Sequence, residues 1–356
     1  EEFGASVDID DRYILVGAPS NSNVDVLVGA AFLYELDSGR LKHAFYAPSG
    51  RPFDQMGISV SLVGQYAIVG SPGRSYPSND SSGIVHVFHT ETGELLHTLF
   101  PRMDIPIIDF GSSVAGWGDY ALIGAIRSEI STVRSGGALL YNLRTGEMLR
   151  TVVPEDSIQG DQCGWTVAID ESYIVLGCFG TNLDGQLQTG SAVVFGRVSG
   201  NQVHRLYAEL PTGSDHFGRV ALHEGRLLVG APDAGYGTAT LFDLESGTTI
   251  YTFHPVGTPH GGGDFGKSVS IDNRRVIIGT PEGRQNNIQS GFVYNYDISD
   301  ACISDINGDG RFNYYDVSCF VEAFTIGSPD ADLNLDGSVD NFDLTSFLAI
   351  SIYNCN

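Results

Sequence analysis

The chain has 356 residues, of which 42% are hydrophobic, and carries 43 acidic against 19 basic side chains for a formal net charge of −24. This apolar fraction is sufficient for a packed core and excludes a disordered acidic tail. A surface this acidic repels phosphate backbones and anionic lipids, and no apolar run approaches the roughly 20 residues that span a bilayer. We therefore expect neither nucleic-acid binding nor membrane insertion, but we do expect binding of divalent cations.

A pattern of four short apolar segments recurs six times over residues 1–299. Each copy starts with an aromatic residue or its substitute followed by glycine, as in "FGASV", and continues with a "VGAP"-type segment, a glycine-led strand and a fourth run after a turn. The copies start at Phe3, Met56, Phe110, Cys163, Phe217 and Phe265. A period of about 50 residues with four strands is typical of β-propeller blades. We predict a mainly β fold, a six-bladed β-propeller.

Two copies depart from the pattern. Copy five reads "FGRV" and is one residue short, which would turn part of its strand over unless a bulge absorbs the difference. Copy six ends after its third strand, which predicts a bare edge with Phe292, Tyr294 and Tyr296 alternating along it. Such an edge is a template for another chain, so a homopolymer formed by strand addition is one hypothesis. The alternatives are that the C-terminal module covers this edge or that an upstream strand pairs with it.

The repeated "FG" and "GAP" motifs resemble FG-GAP repeats, the propeller repeats of integrin α-subunits and many secreted bacterial proteins. The resemblance covers about residues 3–299 and implies a propeller. Repeats of this type often carry a calcium loop between their first two strands. Here the corresponding links, such as "DIDDR" and "LVGQ", are tight hairpin turns and too short to wrap an ion. We therefore expect no calcium site within the propeller.

Residues 300–356 contain two ladders of oxygen ligands, "DINGDGRFNYYD" and "DLNLDGSVDNFD". An EF-hand-type loop ligates calcium from positions 1, 3, 5, 7, 9 and 12 and turns at a glycine in position 6. The spacing therefore predicts two calcium ions. The predicted ligands are Asp305, Asn307, Asp309, the carbonyl of Arg311, Asn313 and Asp316 for the first ion, and Asp332, Asn334, Asp336, the carbonyl of Ser338, Asp340 and Asp343 for the second.

A duplicated loop and helix with aspartate at position 12 resembles a dockerin, a calcium module that docks a secreted protein onto a protein partner. The resemblance implies a small α-helical domain of paired EF-hand-like loops over residues 300–356. It places the partner-reading positions at Tyr314, Tyr315, Asn341 and Phe342, where bulky side chains replace the family's small polar pair and suit a different groove. Because both ends of a dockerin-like fold meet, it also implies a disulfide between Cys302 and Cys355.

Copy four has cysteines at both of its motif positions, Cys163 in place of the aromatic residue and Cys178 in place of the alanine. A hairpin that turns near Asp170 would place them opposite one another, which favours a disulfide; the alternative is two buried free thiols. Disulfides indicate an oxidising compartment, so we expect an extracellular or cell-surface protein. The chain begins at Glu1 without methionine, and a cleaved secretion signal is the simplest explanation.

No His-Glu-x-x-His spacing or nucleophile motif occurs in the sequence. The sequence therefore favours a non-enzymatic extracellular structural or interaction protein. Its rigid propeller would be joined to partners, or to copies of itself in filaments, through the calcium-loaded module and the open blade edge. Two alternatives stay open. One is an anchored ligand- or carbohydrate-binding propeller that acts in adhesion, and the other is a propeller hydrolase or lyase.

Overall fold

The computed structural model describes residues 2–22, 27–48, 50–73, 82–101, 107–130, 133–255, 264–285, 288–289, 291–298, 320–321, 324–325, 331, 338–340 and 343–344. Within these residues, five four-stranded antiparallel sheets and one three-stranded sheet follow one another along the chain. The predictions of a mainly β fold and a six-bladed β-propeller arrangement are confirmed. The chain divides into two compact units, Glu1–Tyr207 with blades one to four and Ala208–Asn356 with blades five and six, and each is described by itself.

The first unit contains sixteen strands, in which each blade is a simple meander of four. Blades one and two consist of β1 (Ser6–Ile9), β2 (Tyr13–Ala18), β3 (Ala30–Glu35), β4 (Leu41–Phe45), β5 (Val60–Val63), β6 (Tyr66–Ser71), β7 (Ile84–His89) and β8 (Leu95–Leu99). Blades three and four consist of β9 (Phe110–Trp117), β10 (Tyr120–Ala125), β11 (Ala138–Asn142), β12 (Met148–Val152), β13 (Cys163–Ile169), β14 (Tyr173–Cys178), β15 (Ser191–Gly196) and β16 (Gln202–Leu206).

The second unit contains blade five, blade six and a short ribbon. Its strands are β17 (Arg219–His223), β18 (Arg226–Ala231), β19 (Thr238–Asp243), β20 (Thr248–Phe253), β21 (Ser268–Ile271), β22 (Arg275–Thr280), β23 (Arg284–Gln285), β24 (Ile288–Gln289) and β25 (Phe292–Asp297). Helical residues are described at 320–321, 324–325 and 343–344. The predicted boundary between residues 299 and 300 lies outside the described residues, so the separate helical domain stays a prediction.

The hydrophobic core of the first unit lies between successive blades. Leu15 and Leu33 of blade one pack in one cluster with Val69 and Phe88 of blade two, and the rings of Phe45 and Phe88 stack at 4.4 Å. The residue that starts copies two to six is fully buried in every case. In blades two to four its backbone also bonds to the preceding blade; the N–H of Met56, for example, donates to the carbonyl of Val28 at 2.9 Å. Within the first unit, neighbouring blades thus complete one another's core.

A close backbone contact, which we call the glycine lock, fixes the distance between successive blades. In blade two, a Cβ added to Gly70 would lie 2.1 Å from the carbonyl oxygen of Gly111 in blade three. The hydroxyl of Ser59 donates to the same oxygen at 2.8 Å. Equivalent hydroxyl bonds of 2.8 Å run from Ser6 to Gly57 and from Ser113 to Gly164. Glycine is required in the second strand because the next blade's backbone fills the space of a side chain.

The hydroxyl of the lock provides a first test. Ser59→Ala should lower the free energy of unfolding by about 1 kcal/mol, because the partly buried carbonyl of Gly111 loses its side-chain donor. Urea unfolding followed by tryptophan fluorescence would measure the loss. Ser172→Ala, at an exposed residue, is the matched control and should be neutral. Equal effects of the two substitutions would contradict the lock.

Copy five keeps its register despite the missing residue. In blade four the pairing of β13 with β14 shifts between Cys163 and Thr166, so the extra residue lies in a bulge. In blade five β17 pairs with β18 without a shift, and Arg219 lies opposite Gly230 as Ser6 lies opposite Gly17. The missing residue therefore eliminates the bulge, and the side chains of β17 keep the faces that they have in the other copies. It also places Arg219 where the other copies have a hydroxyl-bearing residue, serine in four of them and Thr166 in copy four.

Candidate functional site

The third strand of blade six forms the candidate interaction edge. Within the described residues β25 pairs only with β22, so the fourth strand of the other blades has no counterpart there, as predicted. The N–H of Ile298 donates to the carbonyl of Arg274 in the neighbouring strand. Because every second residue of an antiparallel strand bonds to the same neighbour, the N–H and C=O groups of Val293 and Asn295 point away from β22. The equivalent residues of blade one, Ala31 and Leu33, pair with β4.

The aromatic side chains predicted along this edge alternate with exposed residues and so share one face of β25, where Tyr294 and Tyr296 pack in a cluster with residues of blade five. The ring of Tyr294 lies 5.1 Å from that of Phe265, and the ring of Tyr296 lies 4.7 Å from that of Phe253. The Tyr296 hydroxyl donates to the carbonyl of His254 at 3.3 Å. Burial raises the pKa of both tyrosines. These rings are therefore part of the core of the second unit, and the edge itself consists of backbone groups.

Most residues predicted to bind calcium or a partner lie outside the described part of the chain. These are Asp305, Asn307, Asp309, Arg311, Asn313, Asp316, Asp332, Asn334, Asp336, Tyr314, Tyr315, Asn341, Phe342 and both cysteines of the predicted pair Cys302–Cys355. Of the ligands, the structure describes Ser338, Asp340 and Asp343. The described residues contain no group of three or more His, Cys, Asp or Glu side chains arranged to hold a metal.

The described end of the second loop has the geometry of a helix start. The carboxylate of Asp343 accepts the N–H of Asp340 at 2.9 Å, and the N–H of Asp343 donates to the carbonyl of Asp340 at 3.1 Å. The first bond is the half of a capping box in which the side chain at N3 accepts the N-cap N–H, and the second is a main-chain turn. Asp343 is fully buried, and a small apolar cluster of this unit contains Phe320, Ala331, Phe324, Val339 and Leu344. The last predicted ligand thus faces inward at the first turn of a helix.

The predicted disulfide between Cys163 and Cys178 is confirmed. The two residues lie directly opposite one another on β13 and β14, with their Cα atoms 3.9 Å apart, and both are fully buried. They belong to the cluster that joins blades three and four, which also contains Leu122 and Leu176. A covalent bond between two strands thus takes the place that Phe110 and Ala125 occupy in blade three.

Loss of this bond should be costly. Replacing both cysteines, Cys163→Ala with Cys178→Ala, should lower the free energy of unfolding by about 3 kcal/mol, since the bond closes a loop with a sequence separation of 15 and fills a buried site. Urea unfolding under oxidising conditions measures the effect. The double variant Cys163→Phe with Cys178→Ala has the residue types of blade three at these positions, so its free energy of unfolding should fall by less. A double alanine variant as stable as the parent would contradict the prediction.

Sequence reasoning missed a second repeated polar contact. The residue before the starting residue of each copy is polar and has a left-handed backbone, with φ values of 50° for Glu2, 56° for Gln55, 58° for Asp109, 54° for Gln162, 54° for His216 and 46° for Asp264. In three copies this side chain contacts the second residue after the second strand, a contact that we call the clamp; in blade one, the hydroxyl of Ser20 donates to Glu2 at 2.5 Å. Asp109 forms a two-point pair with Arg127 at 2.5 and 2.9 Å, and His216 lies 2.5 Å from Asp233.

The clamp accounts for the charged residues at the start of blade five. The pair of His216 and Asp233 occupies the positions of Asp109 and Arg127, so a structural feature of the repeat explains it without a catalytic role. Burial lowers the pKa of nearby Arg219, and the charges of Asp233 and Asp264 oppose that shift. The signal that could have revealed the clamp is the polar residue that precedes the starting residue of each copy.

No family model matches the chain, and no curated protein matches it. Among the described residues, no helix has the length and apolar character needed to cross a bilayer.

Proposed function

We propose that the chain is a non-enzymatic extracellular structural or interaction protein. Its propeller is joined to partners, or to copies of itself, by strand addition at blade six and by a calcium-loaded C-terminal module. The observation that carries the proposal is the edge of β25, which lacks a fourth strand among the described residues although blades one to five each have one. The FG-GAP and dockerin resemblances support an extracellular role and a protein partner.

Strand addition fits the geometry of the edge. A strand from another molecule would bond to the outward backbone groups of Val293 and Asn295, as β4 bonds to Ala31 and Leu33 in blade one. Backbone bonds of this type supply affinity, and side-chain contacts supply specificity. Because donor and acceptor surfaces differ, the contact is head-to-tail and extends into a filament unless its rotation closes a ring.

Calcium is the expected cofactor of the C-terminal module. The duplicated ligand spacing over residues 305–343 supports two ions. Binding and folding of this module should be coupled. The disulfide Cys163–Cys178 fits an oxidising, extracellular compartment.

Light scattering and electron micrographs of the purified protein test the proposal. Ordered assemblies are expected with calcium and separate molecules with chelator. Asn295→Pro should reduce assembly because proline lacks the outward N–H, whereas the control Asn295→Ala keeps that N–H and should assemble normally. A stable monomer at high concentration with calcium, with residues 291–298 protected from hydrogen exchange, would refute the proposal.

A further inference from the structure

The outer edge of β25 differs from the outer edges of the five complete blades. In each complete blade the pairing of the third strand with the fourth shifts at the same place, so the fourth strand carries one extra residue in a bulge. The extra residues are Lys42, Leu96, Leu149, Val203 and Ile250. Bulges protect an edge against pairing with another chain. β25 pairs with β22 without a shift, so its edge has the regular geometry that strand addition needs.

Blade one contains the template for a strand on this edge. β3 ends in Phe-Leu-Tyr-Glu and β25 in Tyr-Asn-Tyr-Asp, so both strands have two aromatic residues on one face, followed by an acidic residue. Phe32 lies opposite Val16 of β2 as Tyr294 lies opposite Ile278 of β22. The strand that pairs with β3, which is β4, therefore shows which side chains fit opposite β25.

The residue opposite Tyr294 must be small. Val293 and Asn295 would form the backbone bonds to an added strand, so Tyr294 and the residue opposite it would be a non-hydrogen-bonded pair, in which side chains lie closest together. The ring of Tyr294 also fills part of this face, where it packs with Phe265 at 5.1 Å. Alanine or threonine occupies this position in four complete blades, as Ala44, Thr98, Thr151 and Thr252, and Arg205 of blade four lies opposite the smaller Val193.

The residue opposite Val293 must be large and apolar. In blade two Val85 occupies the position of Val293, and it lies opposite Leu99. Apolar cross-strand pairs of this type stabilise a sheet. The residues at the position of Leu99 are at most 7% exposed in every complete blade, and they are Phe45, Leu99, Val152, Leu206 and Phe253.

We infer that the edge of β25 binds an extended segment of a partner protein in which alanine or threonine is followed by a large apolar residue. The small residue lies opposite Tyr294 and the large one opposite Val293, and this fixes the register. The inference rests on the proposed function and deepens it, because it gives the sequence pattern of the segment that adds to blade six. Among the described residues, the strands with this pattern are paired in their own blades, so a partner supplies the segment.

A peptide copy of β4 tests the inference. The probe is a fluorescent peptide with the sequence of residues 38–47, which contains the pattern as Ala44 and Phe45. The full chain is titrated into the peptide in calcium, and binding is followed by fluorescence anisotropy. Saturable binding is expected. Asn295→Pro in the protein should abolish it, because proline lacks the outward N–H.

Two complementary substitutions test the register. Ala44→Leu in the peptide should weaken binding about tenfold, because the larger side chain meets the ring of Tyr294. Tyr294→Val in the protein should restore binding of that peptide, since blade four has Val193 opposite the large Arg205. Lys42→Ala in the peptide is the matched control and should bind like the parent peptide, because Lys42 is the extra residue of the bulge.

Each other outcome overturns a defined part. If the parent assembles in calcium, and the peptide either does not bind or binds equally well with Ala44→Leu, the inferred pattern is wrong and the proposed function stands. If the peptide binds Asn295→Pro as it binds the parent, its site is not the edge of β25 and the inference is wrong. If the peptide does not bind and residues 291–298 are protected from hydrogen exchange in a stable monomer, the edge is covered within the chain, and the inference fails together with the proposed function.

Discussion

Gly70→Val is expected to lower the free energy of unfolding of the first unit by more than about 4 kcal/mol, a loss that few single substitutions reach. A Cβ at this position would already lie 2.1 Å from the carbonyl oxygen of Gly111, and that atom belongs to the backbone of the next blade and cannot turn aside. The two blades must separate or the strand must bend. Either change also opens the cluster that contains Ile68, Phe110 and Ile123.

Urea unfolding, with circular dichroism and fluorescence as separate probes, measures this loss. Gly118→Val is the control, because no atom lies within 4 Å of its Cβ position and only its left-handed backbone, with a φ of 56°, opposes a side chain. It should cost about 1–2 kcal/mol. Gly70→Val at a cost no greater than that of the control would show that the blades are not held by the glycine lock.

Removal of calcium is expected to unfold the C-terminal module and to leave the propeller folded. The module has many carboxylates at ligand positions and few basic groups to offset them, so without cations it repels itself. Calorimetric titration of the full chain should give a stoichiometry near two. Asp309→Ala and Asp336→Ala each remove a position-5 ligand and should each leave about one ion.

Asp37→Ala, at an exposed aspartate in a turn of blade one, is the charge-matched control and should still bind two ions. The circular dichroism of the propeller strands should persist in chelator. Absence of binding at millimolar calcium would refute the predicted sites. A loss of strand signal in chelator would show instead that calcium supports the propeller.

The fold could be read largely from the sequence because its repeats are in phase. The positions of Phe110 and Gly111 mark the start of a blade, and the glycine-led strand marks its third strand, so six sheets and a three-stranded last sheet followed from spacing alone. The disulfide also followed, because paired strands bring Cys163 and Cys178 together. In each case the information is local to one repeat.

The contacts that join different repeats could not be read in the same way. Nothing in the spacing shows that the hydroxyl of Ser59 reaches the carbonyl of Gly111, since this depends on how two sheets are stacked. The inward direction of Tyr294 and Tyr296 was missed for the same reason, because alternation shows that two side chains share a face but not what covers that face. The bulge that copy five lacks became apparent only from its register.

The glycine lock also bears on how such a chain can change over time. Its parts are a glycine, a hydroxyl and a main-chain carbonyl, and Met56, Phe110 and Cys163 all serve as the residue beside it. A duplicated gene segment encoding one repeat would therefore bring both halves of its own junction, and a lost segment would leave two halves that still match. Changes in the number of copies, as well as substitutions, are thus open to a protein of this construction.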